Sequence, residues 1–161
     1  MRFFVTGSSN QLAIHTLALL SGAGHEVTYY AKWKAGFMAP PGVKTINGDL
    51  DELPFQKKDL SGKEYDAVIC LNLYTVRNVD AVLETFWNTA RRFVVASSGN
   101  VYRAHGRLHG SEPGKIDPSA LTENSPLRGR ALEGNREYDK VQVEKRFLES
   151  EKKTKSEAKR S

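Results

Sequence analysis

Arg2-Phe3-Phe4-Val5-Thr6-Gly7-Ser8-Ser9-Asn10-Gln11-Leu12 opens the chain and decides its fold. Residues 2–6 form a short apolar run of β-formers, and Gly7 to Asn10 break it. Gln11 to Ser21 then sets Leu12, Ile14, Leu17, Leu19 and Leu20 among small residues, which predicts a helix packed on a sheet. Gly22-Ala23-Gly24 ends that helix, and His25-Glu26-Val27-Thr28-Tyr29-Tyr30 reads as a second strand. Strand, glycine-bearing turn, helix and strand within about 30 residues make a βαβ unit. The turn places backbone N–H groups at a helix N-terminus, a setting suited to a phosphate.

Composition bounds the rest. A chain of 161 residues is one domain by size and can bury a real core. With 39% hydrophobic and 27% charged residues it reads as globular rather than disordered. No apolar run approaches the ~20 residues of a membrane span, and the N-terminus enters a strand directly, so neither a membrane segment nor a signal peptide is expected. Cys70 is the only cysteine. It excludes an intrachain disulfide and fits a reducing cytoplasm. No metal-ligand cluster stands out. The net charge is +5. Residues 151–161 hold five Lys or Arg against two Glu, a net of +3, so most of the excess is a basic tail. The division expected is a dinucleotide-binding part over residues 1–150 and a disordered tail over 151–161. Nucleic acid is not the expected partner.

Further along, Val43-Lys44-Thr45-Ile46 predicts a third strand, and Leu53 to Leu60 a short helix that Pro54 can only start. Ala67 to Leu71 is nearly continuously apolar, as a central parallel strand buried on both faces should be. Val79 to Ala90 predicts a helix whose stripe of Val79, Val82, Leu83, Phe86 and Trp87 faces the core, and Phe93 to Ala96 a fifth strand. Ser98 to Arg136 reads as one long loop, a length that points to function or disorder. Glu137 to Glu149 returns to helix. The whole is an α/β Rossmann-like domain with a parallel sheet in the order 3-2-1-4-5. In such a fold the end of the second strand meets the adenosine ribose. Ala31 stands there with no acid, followed by Lys32, which tilts the choice between NAD and NADP towards NADP. Two solvated surface lysines, 32 and 34, are an equal reading.

Val5-Thr6-Gly7-Ser8-Ser9-Asn10-Gln11-Leu12-Ala13 and Gly24-His25-Glu26-Val27-Thr28 resemble the start of the extended short-chain dehydrogenase/reductases, the NAD-dependent epimerase/dehydratase proteins. So do Ala96-Ser97-Ser98-Gly99-Asn100-Val101-Tyr102 (the most specific match), Leu121-Thr122-Glu123-Asn124-Ser125-Pro126-Leu127, and Tyr138-Asp139-Lys140-Val141-Gln142-Val143-Glu144. The resemblance runs from Met1 to about Leu148. It implies NAD or NADP held by Gly7, Ser9, Asn10, Gln11 and Leu12, with Asp49 and Leu50 near the adenine and Leu71 and Asn72 at the end of the fourth strand. It implies a nucleotide sugar as substrate. Ser98 would bond the reacting oxygen, and Lys140 would favour a tyrosine phenolate that carries the proton.

The sequence departs from that pattern in three places. Asn10 and Ala13 replace two glycines of the opening motif. The residue four before Lys140 is Arg136, where the family has its tyrosine. Tyr138 lies two before, roughly 200° round a helix, and is the remaining candidate for the proton carrier. Family members also continue for about as long again. These departures imply weakened or absent catalysis. They leave a second reading open, a non-catalytic nucleotide- or RNA-binding module like the chloroplast stem-loop RNA-binding proteins that resemble the same family. An unpaired outer edge on the fifth strand further predicts a homodimer.

Overall fold

The computed structural model describes residues 1–33, 37–56, 60, 63–130 and 139–157. Contacts divide the chain into two compact units. The first comprises Met1–Leu73 and Asp80–Ala96, the second Tyr74–Val79 and Ser97–Ser161.

The first unit is built on five parallel strands: β1 (Arg2–Thr6), β2 (Glu26–Ala31), β3 (Val43–Asn47), β4 (Ala67–Cys70) and β5 (Phe93–Val95). Their order is β3-β2-β1-β4-β5, as the sequence predicts. Phe3 pairs with Val27 and Ala67, and Thr6 with Tyr30 and Cys70. Residues paired in this way share a face, and successive residues alternate. One face of β1 therefore carries Phe3 and Val5 into a cluster with Val27, Tyr29, Ala31 and Ala67, covered by Ala13 and Leu17 of α1 (Gln11–Gly22). On the other face Phe4 is fully buried, and its ring meets those of Tyr30, Tyr65 and Phe86. Burying such a side chain is worth about 1.5–3 kcal/mol, which is why β1 sits at the centre.

Several expectations change. In α1 only Ala13 and Leu17 are buried, with Leu20 packed beside them. Leu12, Ile14 and Leu19 face solvent, because the face that meets the sheet is the one carrying Ala13, Leu17 and Leu20. The helix expected from Val79 starts earlier, as α2 (Val76–Phe86). Thr75 Oγ1 accepts from Asn78 N–H, and Asn78 Oδ1 accepts from the N–H groups of Tyr74 and Thr75, a reciprocal cap that fixes the start. Trp87 therefore falls beyond the last turn. It is 39% exposed and stacks on Phe93 instead of filling the core. The helix expected over 53–60 begins as a 3₁₀ segment, Leu50–Gln56, with Pro54 inside it, and its residues 57–59 lie outside the described residues. β5 is a three-residue edge strand with Val94 exposed.

In the second unit the stretch expected as one loop contains a 3₁₀ turn (Gly99–Val101) and a helix, α3 (Arg103–Leu108). Two buried charges hold it. Arg128 donates to the carbonyls of Asn100 and Arg130 and to Asp139 Oδ1, all at 2.7–2.8 Å. Glu112 accepts from the N–H groups of Gly129 and Arg130, and these bonds, that of Arg130 first, hold its carboxyl below the ordinary value. Gly106 makes room: a Cβ there would lie 2.5 Å from Glu112 Cγ. The last helix, α4, runs Lys140–Glu157 with Val141 and Val143 buried.

Candidate functional site

The glycine turn of the first unit begins where β1 ends. A Cβ on Gly7 would lie 3.1 Å from the Tyr29 ring and 3.3 Å from Ala13 Cβ, so a side chain there would push Tyr29 or α1 aside by a few tenths of an ångström. Asn10 caps α1. Its backbone is extended (φ −117°), its Oδ1 accepts from Ala13 N–H at 3.0 Å, and its Nδ2 donates to Ser8 Oγ. The Asn10 side chain is thus spent on the helix end. Gln11 and Leu12 contribute the first-turn N–H groups, which no helix satisfies internally, and Ser9, Gln11 and Leu12 are all exposed. A helix dipole favours an anion here.

At the end of β2, Ala31 is buried and Lys32 exposed. Lys32 Nζ lies 3.5 Å from Asp49 Oδ2, and Asp49 Oδ1 accepts from Asp51 N–H. Two residues expected at the adenosine end are therefore brought together, and the Asp49 carboxylate is already engaged. Leu50 is buried at the start of the 3₁₀ segment. Leu71 N–H donates to the Thr6 carbonyl, extending the ladder past β4. Asn72 follows, with its Oδ1 buried and without a partner among the described residues. Thr6 Oγ1 and the Tyr29 hydroxyl share that condition, and neither is singled out by sequence reasoning. A buried polar group without a partner costs stability. Such groups at the carboxyl ends of β1 and β4 and beneath Gly7 fit a ligand along this edge.

The second unit holds Ser98 and Lys140. Ser98 is exposed and caps the 3₁₀ turn, its Oγ accepting from Asn100 N–H at 3.4 Å. Its neighbour Ser97 donates to Glu144, one turn beyond Lys140. Asp139 Oδ1 caps α4 through Val141 N–H and is paired with Arg128. Lys140 is buried (8% exposed), with Nζ 5.1 Å from the centre of the Tyr74 ring, a distance at which a ring face attracts an ammonium. Tyr74, a residue the sequence does not mark, is thus the aromatic neighbour that Lys140 has among the described residues. Tyr138 and Arg136 lie outside the described residues. Among the described residues no group of three or more His, Cys, Asp or Glu could hold a metal, and no helix is long and apolar enough to cross a membrane.

Known structures share this architecture. A UDP-glucose 4-epimerase matches 96% of the chain with a TM-score of 0.70 and 16% identity. That of Bifidobacterium longum, in complex with NAD+ and UDP, matches 93% at 0.66 and 18%. The enzyme WbmG of Bordetella bronchiseptica, in complex with NAD, matches 92% at 0.69 and 14%. In fold, the chain is similar to the short-chain dehydrogenase/reductases. It covers 48%, 48% and 49% of those three structures and so spans about half their length. No protein-family model matches the sequence. No curated protein matches it either.

Proposed function

We propose that this chain is an NAD(P)-binding Rossmann module of the epimerase/dehydratase type, whose nucleotide-sugar chemistry is weak or absent in the chain by itself. The observation that carries the reading is the β1–Gly7–α1–β2 crossover. Its glycine is closely packed by Tyr29 and Ala13, and buried polar atoms without a partner among the described residues lie where a dinucleotide would run. The diphosphate would rest on the first-turn N–H groups of Gln11 and Leu12, with Gly7, Ser9 and Asn10 shaping the turn. Leu71 and Asn72 would flank the nicotinamide half, and Asp49 and Leu50 the adenine. When bound, the dinucleotide supplies a hydride acceptor. Ser98, whose Oγ accepts a backbone N–H and keeps its own proton to give, would bond the reacting oxygen. Lys140 would hold positive charge beside the proton carrier, for which Tyr138 is the candidate. A nucleotide sugar as substrate, a second copy of the chain against the β5 edge and a cytoplasmic setting belong to the same proposal.

Saturating NAD or NADP, at about 100 times Kd, should stabilise the protein by ~2.7 kcal/mol. For a chain of this size that raises Tm by roughly 5–10 °C. A melting curve unmoved by either dinucleotide would remove the reading. A shift with RNA alone would favour the polyanion-binding module instead.

Preference between the two cofactors is a separate expectation. The Lys32 side chain is 78% exposed and its pairing with Asp49 is long, an interaction worth about 0–1 kcal/mol. Lys32 is therefore free to turn to a 2′-phosphate. Calorimetry should show NADP bound more tightly than NAD. Lys32→Asp should cut that ratio about tenfold, the worth of a hydrogen bond to a charged group. Equal affinities that the substitution leaves alone would show that Lys32 is only a solvated side chain.

A further inference from the structure

We propose that the Tyr29 hydroxyl is a further donor of this dinucleotide site, reaching the diphosphate from beneath the Gly7 turn. The inference rests on the reading above. Tyr29 lies in the middle of β2, opposite Val5, and is fully buried. Its ring packs against Trp33 and Phe37. Phenylalanine would fill the same core without taking a hydroxyl out of water. The hydroxyl nevertheless has no hydrogen-bond partner among the described residues. It lies 3.2 Å from where a Gly7 Cβ would stand. The space that glycine leaves bare at the end of β1 is therefore floored by an unpartnered donor, next to a helix N-terminus that already favours an anion. Burial pushes the phenol up to about 12, so it keeps its proton at any physiological pH and can only gain by giving it to an acceptor. A diphosphate oxygen settling on the turn is such an acceptor, and charge-assisted bonds of this kind are the strong ones.

The test separates packing from binding. Tyr29→Phe keeps the ring and removes the orphan. The unliganded variant should melt no lower than the parent, while its affinity for NAD and for NADP falls about tenfold or more. Equal affinities in parent and variant would overturn the inference and leave the cofactor reading standing. Failure of the parent to bind either dinucleotide would overturn both. The unmodified chain offers a check that needs no variant. With ¹³Cζ-labelled tyrosine, the Tyr29 signal should move as NAD saturates the protein, and a signal that stays in place while NAD binds would overturn the inference.

Discussion

Arg128→Met should destabilise the second unit by about 3–5 kcal/mol, the usual result of removing one partner from a buried ion pair. The guanidinium is almost wholly buried (side chain 1% exposed), and its partner Asp139 is 13% exposed. Methionine fills part of the volume but leaves the Asp139 carboxylate without a counter-charge. It also leaves the carbonyls of Asn100 and Arg130 without their donor. Urea denaturation followed at the amides of α3 and residues 100–128 would measure the loss. Adding Asp139→Asn should recover part of it, because the uncompensated charge goes too. A loss below ~1 kcal/mol for the single variant would mean that the pair adds nothing beyond packing. Acid should weaken the same unit through Glu112. Its carboxyl is held below the ordinary value in the folded state. Its contribution is therefore complete above the ordinary glutamate value and is lost as pH falls through the lower, folded one.

The sheet was legible because its signals are local. Alternating and continuous apolar runs mark β1 to β5, and their order follows the doubly wound pattern that the opening βαβ unit announces. What a helix buries was less legible. Leu12 and Leu19 look like core residues, yet the sheet takes Ala13 and Leu17, because a composition this apolar does not reveal which face of the helix the connection turns inward. Trp87 was misplaced because α2 ends at Phe86, and the tryptophan falls just outside the last turn. α3 has no periodic apolar stripe and carries Gly106 at its centre. The Glu112 side chain packs against that glycine, a partner six residues away that no window of hydrophobicity reports.

The candidate site divides in the same way. Gly7 is readable from the βαβ pattern, and so is the helix N-terminus beside it. Asn10 reads as a replaced glycine of the opening motif, and the structure shows its side chain capping α1. The pairing of Lys32 with Asp49 joins residues 17 apart, and the approach of Lys140 to Tyr74 joins residues 66 apart. Neither can be read from spacing. Tyr29 is hidden for another reason. In the sequence it is one more aromatic in a buried strand, and only the position of its hydroxyl beneath Gly7 sets it apart.

The isolated chain should convert UDP- and GDP-sugars slowly or not at all. Arg136 stands four residues before Lys140, where the resembled family has the tyrosine that carries the proton. General acid/base catalysis contributes about 10²–10⁴-fold, so its loss alone should be severe. The chain spans about half of the solved structures it resembles, and contacts that would orient a sugar add further to the rate. Two groups that the proposed chemistry would use remain. Ser98 is exposed, and Lys140 is held in place between the Asp139 cap and the Tyr74 ring. Arg136→Tyr should therefore raise the single-turnover rate with bound NAD or NADP by up to that factor, provided that the dinucleotide binds. No gain in a variant that binds the cofactor normally would show that the missing tyrosine is not what limits the chain. Robust turnover by the unmodified protein, abolished by Tyr138→Phe, would instead place the proton on Tyr138 and shift the register of the helix start by two residues.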